Sequence, residues 1–428
     1  MNVLDILDAR GFIHQTTDDP SDRAKLRELL GSPPVTAYIG FDPTASSLHV
    51  GSLVQIMALV HLQNAGHRPI AVVGGGTGLV GDPSGKEELR QFVSRENVDA
   101  NLAAIREQFA RYIDFDDGRA LILNNAEWLV GLNYLEFLRD YGRHFSVNRM
   151  LAHECFKIRY TSDSGLSFLE FNYMLLQAYD FLLLFRDYGC KLQMGGSDQW
   201  GNITAGIDLA RRMRGVQLYG ITGPLLTKSD GAKMGKTEAG TIWLSSQRTS
   251  PYMFYQYWFN TADEDTGTCL RFLTELCREE IEALDESRAD DPSHRKSQIQ
   301  LAQELTRLVH GDEGLATAER ARAVLFGGRT IKDFNDTELT EIFADVASRE
   351  LPQSRLAGEG LNIVDAFFEV GLTKSKGEAR RIVQQGGANV NNQRVDSIDT
   401  QLTEHNLASE TVMILRSGKK KYALLKFV

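Results

Sequence analysis

The sequence predicts an α/β protein whose first part is built on a parallel sheet, with a helical region after it and a small basic module at the end. Three observations predict it. Apolar β-prone runs, VTAYIGF at 35–41 and PIAVVGGG at 69–76, alternate with helical stretches such as HVGSLVQIMALVHLQNAG at 49–66, the strand–helix–strand spacing of a parallel unit. From Ser250 onward the pattern is helical and charge-rich, with a solvated stretch, EEIEALDESRADDPSHRK, at 279–296. The net charge of −10 hides an asymmetry: residues 361–428 hold 10 Lys and Arg against 7 Asp and Glu, or +3, which leaves −13 for the first 360. An acidic body with a basic tail suits a polyanionic partner, although a charge of this size also fits a solvated surface.

A chain of 428 residues suggests two or three domains at roughly 150 residues each. Hydrophobic residues at 42% and charged residues at 24% exclude a disordered, collagen-like or disulfide-scaffold chain. Cys155, Cys190, Cys269 and Cys277 never fall at CxxC spacing, so neither a zinc knuckle nor a redox motif is present, and no protein-bound metal is expected. A reducing, cytoplasmic setting fits best. The start, MNVLDILDARGF, lacks a basic segment followed by an apolar one, and the run FLLLF at 181–185 is too short to span a bilayer, so neither secretion nor membrane insertion is expected.

The first strand runs into FDPTASSLHVGS at 41–52, which leads to the start of a helix. Unpaired backbone amides and the helix dipole attract phosphate there, with His49 near the terminus and Gly51 allowing close backbone approach. His-x-Gly alone is unspecific. The helix ends at Gly66, and the next strand enters GGGTGLVGDPSG at 74–85. Gly76, Gly78 and Gly81 satisfy GxGxxG, but the acidic residue expected about twenty positions later at a strand end is missing, since Asp99 lies in a polar, helical stretch. The P-loop pattern fails too, with Val80 in place of its first glycine and Glu87 after Lys86. What is left is a loop that brings backbone and the Asp82 carboxylate to a ligand, or a plain tight turn.

The segment GLSFLEFNYMLLQAYDFLLLF at 165–185 is apolar nearly all round, as buried helices are. Tyr173, Gln177 and Asp180 nevertheless share one face at i, i+4 and i+7. Buried polar groups need partners, which predicts a polar pocket for a small zwitterion or hydroxyl. GGSDQWGN at 195–202 again follows a strand and sets Asp198 and Gln199 beyond a strand's carboxyl end, where α/β proteins bind ligands. KMGKT at 233–237 lies in a glycine-punctuated loop, and its two lysines suit charge developing on a triphosphate. LPQSRLAGEG at 351–360 reads as a linker.

Together and in this order, YIGFDPTASSLHVGS, FNYMLLQAYD, GGSDQWGN and KMGKT resemble the class I aminoacyl-tRNA synthetases, and within them the bacterial-type tyrosyl-tRNA synthetase family. The resemblance runs along essentially the whole chain. It implies a Rossmann-like catalytic domain over 1–247, a helical tRNA-binding domain over 248–350 and a small α+β RNA-binding module of ribosomal-protein type over 361–428. It implies that Tyr38 and Asp180 bond a substrate phenol, that Asp82, Tyr173 and Gln177 hold its ammonium group, and that Gln199 sits by its carboxylate. Gly40, Asp42, Gly51, Gly196 and Asp198 would line the ATP path, together with Lys236. Thr44 and His49 would grip the γ-phosphate, joined by Lys86, Arg90, Lys233, Lys236 and Thr237. ATP would be a substrate, with Mg2+, and the partners would be L-tyrosine, tRNA(Tyr) and a second copy of the chain.

Two positions depart from the family pattern. The HxGH signature ends here in Ser52, which still donates one hydrogen bond but lacks the imidazole. Ile39 stands where many relatives place a small polar residue and can only pack. In GLTKSKGEARRIVQQGGANVNNQRV at 371–395, Lys376 and Arg380 share a helical face beside Arg381, and RSGKKKYALLKF adds Lys419, Lys420 and Lys421, phosphate contacts of a sequence-independent kind. Two other functions stay open: a related tryptophanyl-tRNA synthetase, and an RNA-binding relative with a decayed site, for which Ser52 speaks.

Overall fold

The computed structural model describes residues 2–18, 23–84, 95–161, 165–237, 240–326, 331, 334–343, 346–418 and 421–428. Lys86, Arg90, Lys419 and Lys420 lie outside the described residues, and so does the side chain of Thr237. The chain divides into two compact units, Met1–Ser245 with Thr261–Leu301, and Ser246–Asn260 with Ala302–Val428.

The first unit carries a six-stranded sheet of β1 (Gln15–Thr16), β2 (Thr36–Phe41), β3 (Arg68–Val73), β4 (Leu121–Asn124), β5 (Leu192–Gly196) and β6 (Tyr219–Gly223). Its order is β1-β6-β5-β2-β3-β4, parallel throughout except for the antiparallel edge pair β1–β6. The strand order reverses between β2 and β5, so the crevice at their carboxyl ends is where a ligand is expected in this architecture. β3 reads RPIAVV and is buried from Pro69 on, as a strand covered on both faces must be.

Two long helices build one wall of that crevice. Phe168–Tyr188 starts in a capping box, in which Ser167 Oγ accepts from the Glu170 amide and the Glu170 carboxylate accepts from the Ser167 amide, and stops at Gly189 with φ 66°. Glu170 also accepts from the buried Arg159 guanidinium at 2.9 Å, an ion pair with both partners out of solvent. Trp200–Arg214 packs against it at Gly206, where an added Cβ would lie 3.1 Å from Phe181. Glycine is required there because no side chain fits between the two backbones. The expected helix after His49 is present as Leu53–Asn64, entered through a short 3-10 turn, Val50–Ser52.

The second unit holds a five-stranded sheet in the order Gln393–Arg394, Ala388–Val390, Val412–Ser417, Lys421–Phe427, Ala347–Leu351. Its two faces are both covered. Met413, Leu415 and Leu425 point to a core with Phe367 and Val383 of the helices Ile363–Glu369 and Lys376–Gln384, while Val412, Ile414 and Leu424 pack on Leu339, Ile342 and Phe343. Residues 351–360, a linker by sequence, are folded into this unit. Strand Ala347–Leu351 pairs in parallel with Lys421–Phe427, and Leu351 and Leu356 are buried at 5% and 2% exposure in its core. Among the described residues no helix is long and apolar enough to cross a membrane.

Candidate active site

A cavity of about 320 Å³ opens at the carboxyl ends of β2 and β5. Tyr38 projects into it from β2, and the helix Phe168–Tyr188 presents Tyr173, Gln177 and Asp180 along one face, the arrangement expected from their spacing. The glycine-rich loop contributes Asp82, and the turn after β5 contributes Gly196, Asp198 and Gln199. Gly40, Asp42, Thr44, His49, Gly51 and Ser52 line the opposite part. The exposed Lys233 and Lys236 are not in the cavity wall.

At the deep end, Asp180 is 3% exposed and Tyr38 2%. The Asp180 carboxylate accepts from Trp128 Nε1 at 2.7 Å and from Asn125 Nδ2 at 2.9 Å. Burial nevertheless dominates and pushes its carboxyl from 3.8 up to about 7, with the two donors opposing the rise. Burial first, and then the neighbouring Asp180 charge, raise the Tyr38 phenol well above its ordinary value, so it stays protonated. Its ring stacks edge-on against Phe181 at 5.3 Å, while its hydroxyl has no hydrogen-bond partner among the described residues. A buried hydroxyl left unpaired is costly, which makes this a position waiting for a ligand's polar group.

A second polar cluster lies nearer the mouth. Asp82 Oδ2 accepts from Gln199 Nε2 at 2.7 Å and Oδ1 from the Ser84 amide at 2.9 Å. Gln199 Oε1 in turn accepts from Gln177 Nε2 at 3.3 Å and Asn202 Nδ2 at 3.1 Å. Burial, and after it the charge of Asp42, raise the Asp82 carboxyl. A ligand ammonium arriving beside it would reverse that rise. At the mouth, His49 caps the 3-10 turn, its Nδ1 accepting from the Gly51 amide at 3.0 Å.

A sequence profile described as tRNA synthetases class I (W and Y) matches residues 32–327, and one described as the tyrosine–tRNA ligase SYY-like C-terminal domain matches 338–425. A tyrosine–tRNA ligase of Rhodopirellula baltica is 52% identical over 426 residues, which is 99% of this chain and 96% of that protein. The chain belongs to the tyrosine–tRNA ligase family. The ligase of Desulfatibacillum aliphaticivorans is 53% identical over 99% of this chain and 98% of its own. Among solved structures, a C-terminally truncated mitochondrial tyrosyl-tRNA synthetase of Aspergillus nidulans superposes with a TM-score of 0.67 at 31% identity, covering 76% of this chain and 94% of that one.

In this member of the tyrosine–tRNA ligase family several site residues carry no sequence signal. Asn125 and Trp128 lie in LNNAEWLV, which matches no motif. They reach Asp180 because β4 runs parallel beside β3, which brings the Asn125 amide to the Val73 carbonyl at 3.1 Å. Asn125 Oδ1 also accepts from the Gly76 amide at 2.7 Å, joining the glycine loop to Asp180. Gln55, one helical turn after Ser52, lines the cavity and is the one half-exposed residue between Leu53 and Gln63.

Proposed function

We propose that the chain acts as a tyrosine–tRNA ligase: it activates L-tyrosine with ATP to tyrosyl-adenylate and pyrophosphate, then transfers tyrosine to the 3′ end of tRNA(Tyr). The observation that carries the choice of amino acid is the pairing of the unpartnered Tyr38 hydroxyl with the Asp180 carboxylate at the closed end of the cavity. A phenol there donates to Asp180 and accepts from Tyr38. A site with two buried polar groups rejects phenylalanine because both would be stranded, whereas an indole offers a donor but no acceptor.

The remaining roles follow from position. Asp82, Tyr173 and Gln177 hold the α-ammonium, and Gln199 stands beside the carboxylate. Gly40, Asp42, Gly51, Gly196 and Asp198 accommodate ribose and adenine. Thr44 and His49 take the γ-phosphate, with Lys86, Arg90, Lys233, Lys236 and Thr237 closing over it and Ser52 donating from the turn. The tyrosine carboxylate oxygen attacks the α-phosphorus, an O–P bond forms as the bond to pyrophosphate breaks, and no side chain becomes covalently attached. In the second step a hydroxyl of the terminal tRNA ribose attacks the carbonyl carbon and AMP departs. The protein contributes alignment and charge stabilisation in both. Mg2+ enters with the triphosphate, neutralising part of its charge.

The tRNA is held in part by the C-terminal module, where Arg380, Arg381 and Lys421 are exposed; Lys376 is exposed too but is paired with Asp365 at 2.7 Å. The chain forms a homodimer through the segment between β4 and β5. Eight of the eleven exposed large apolar side chains among the described residues fall between Val130 and Leu169, with Leu135 at 75% and Phe168 at 70% exposure, more than a lone surface needs. Free thiols at Cys190, Cys269 and Cys277 fit a reducing cytoplasm. The division into catalytic, helical and C-terminal RNA-binding parts is retained as part of this reading. ATP–pyrophosphate exchange with each amino acid in turn tests it. Tyrosine alone should support exchange; exchange driven by tryptophan, or by none, would refute it.

A further inference from the structure

The KMGKT segment is the end of a hairpin rather than a free loop. Thr227 bridges Lys233, the Met234 amide donates to the Leu226 carbonyl at 3.1 Å, and the Lys228 amide donates to the Ala232 carbonyl at 2.8 Å. Both ends of this hairpin touch one helix, Asp263–Leu273. At the tip, the Ser229 amide donates to Asp265 Oδ1 at 2.8 Å. At the base, the buried Met234 sulfur meets the Cys269 thiol at 3.5 Å. Asp265 and Cys269 are four residues apart and therefore face the same way. Asp265 is 8% exposed and Cys269 fully buried, so both contacts are shielded from water.

The helix is itself immobilised. Arg10 donates to the carbonyls of Arg271, Thr274 and Leu276 around its carboxyl end, at 2.9, 2.8 and 2.6 Å. Beyond Met234 the chain turns at Gly235, φ 87°, where an added Cβ would be 3.1 Å from the Val50 side chain of the His49–Ser52 turn. Only a residue without a side chain passes there, so the hairpin is pinned on one side by the helix and on the other by the nucleotide end of the cavity.

We infer that Asp265 and Cys269 are positioning residues for adenylate formation: they form a seat that fixes the backbone of the KMGKT hairpin, and thereby the origin from which Lys233 and Lys236 reach the phosphates. This rests on the phosphate role proposed above for those lysines. The Ser229 contact uses a backbone amide, so it depends on the acceptor at position 265 and on no side chain of the hairpin. A displaced origin moves both ammonium groups together, and an error of about 1 Å in such groups costs up to about 100-fold in rate.

The test uses the full-length protein with Asp265→Ala, Asp265→Asn and Cys269→Ala, reading trypsin cleavage after Lys228 and Lys233 by mass spectrometry alongside kcat and tyrosine KM in pyrophosphate exchange. Asp265→Ala should speed cleavage and lower kcat by about 10- to 100-fold with tyrosine KM unchanged. Asp265→Asn should restore both, because the carboxamide oxygen still accepts from the Ser229 amide, and Cys269→Ala should move both readouts in the same direction by less. Wild-type cleavage and kcat in Asp265→Ala, or equal damage from Asn and Ala, would overturn the seat. If Asp265→Ala does not fold, Cys269→Ala decides, and unchanged cleavage and rate in it would overturn the seat as well. Failure of the wild-type protein to exchange with tyrosine would refute the ligase reading, while the cleavage rates still report on the seat.

Discussion

The indole N–H of Trp128 donates to Asp180 Oδ1 across 2.7 Å, inside a protein where burial has already pushed that carboxyl up to about 7. Trp128 therefore works on the charge state of the residue that receives the phenol. Removing a donor to the charged form raises the carboxyl further, so Trp128→Phe should move the acid limb of kcat/KM for tyrosine upward by about one pH unit, the worth of one hydrogen bond to a charged group. A pH profile superimposable on wild type would show that the indole only fills space.

The same carboxyl predicts a stability effect of definite sign. Its value in the folded protein lies above the ordinary 3.8, so its favourable contribution is complete below about pH 4 and is lost as the pH rises to about 7. An upward shift from 3.8 to about 7 corresponds to roughly 4 kcal/mol, an upper figure for a fully buried group. Asp180→Asn cannot ionise and loses one acceptor at every pH. Relative to wild type, its Tm should therefore improve steadily between pH 4 and about 7 while tyrosine activation disappears. A Tm difference independent of pH would contradict the buried carboxyl.

Tyr38→Phe removes a buried hydroxyl that has no partner in the ligand-free protein. Stability without ligand should hold or rise, by up to about 1 kcal/mol, because an unpaired buried polar group has been deleted. Tyrosine should bind more weakly, by about tenfold for one lost hydrogen bond, and discrimination against phenylalanine should shrink. Thermal unfolding and exchange kinetics on the same preparation separate the two effects. A destabilised variant with undiminished discrimination would mean that the hydroxyl is satisfied some other way.

Much of this site was legible in the sequence because its signals are local. Tyr173, Gln177 and Asp180 are polar intrusions on an otherwise apolar helix, and their spacing alone aligns them. The glycines of 74–85 announce close backbone approach, and the turn after β5 follows a strand. Asn125 and Trp128 gave no such signal, since their role depends on the parallel register of β4 against β3 and on a partner over fifty residues away. Strand Ala347–Leu351 was invisible for a related reason: its sequence, ASREL, is exposed except at Leu351, and its partner is the last strand of the chain. The KMGKT lysines were legible as chemistry, whereas the buried Met234 between them, which fixes the hairpin, was not.

Gln55 presents an amide to the nucleotide part of the cavity from the same helical side as Ser52, where the family signature carries a second histidine. A carboxamide offers both a donor and an acceptor, which suits ribose or adenine edges. Gln55→Ala should raise the KM for ATP by about three- to tenfold, the worth of one neutral hydrogen bond, and leave that for tyrosine unchanged. Equal changes in both would place Gln55 outside the nucleotide's reach.

The last prediction concerns where the chain can be cut. Every residue lining the cavity lies between Tyr38 and Leu225, inside the first unit, so pyrophosphate exchange should survive loss of the C-terminal sheet. Cutting after Gly360 strips strand Ala347–Leu351 of its partner and uncovers Leu339, Ile342 and Phe343, which pack on Val412, Ile414 and Leu424. An unpaired edge with apolar residues beside it invites aggregation. A cut after Phe326 removes that helix and strand together with the sheet, and should give the more soluble protein of the two. Both truncations should lose tRNA charging and flatten its salt dependence by about one unit of log-log slope for each lost phosphate contact, Arg380, Arg381 and Lys421 among them. Exchange and charging measured across a salt series, with sedimentation on both proteins, decide the matter. Normal charging by either truncation would remove the C-terminal module from tRNA binding, and equal solubility would show that the 334–343 segment does not depend on the sheet.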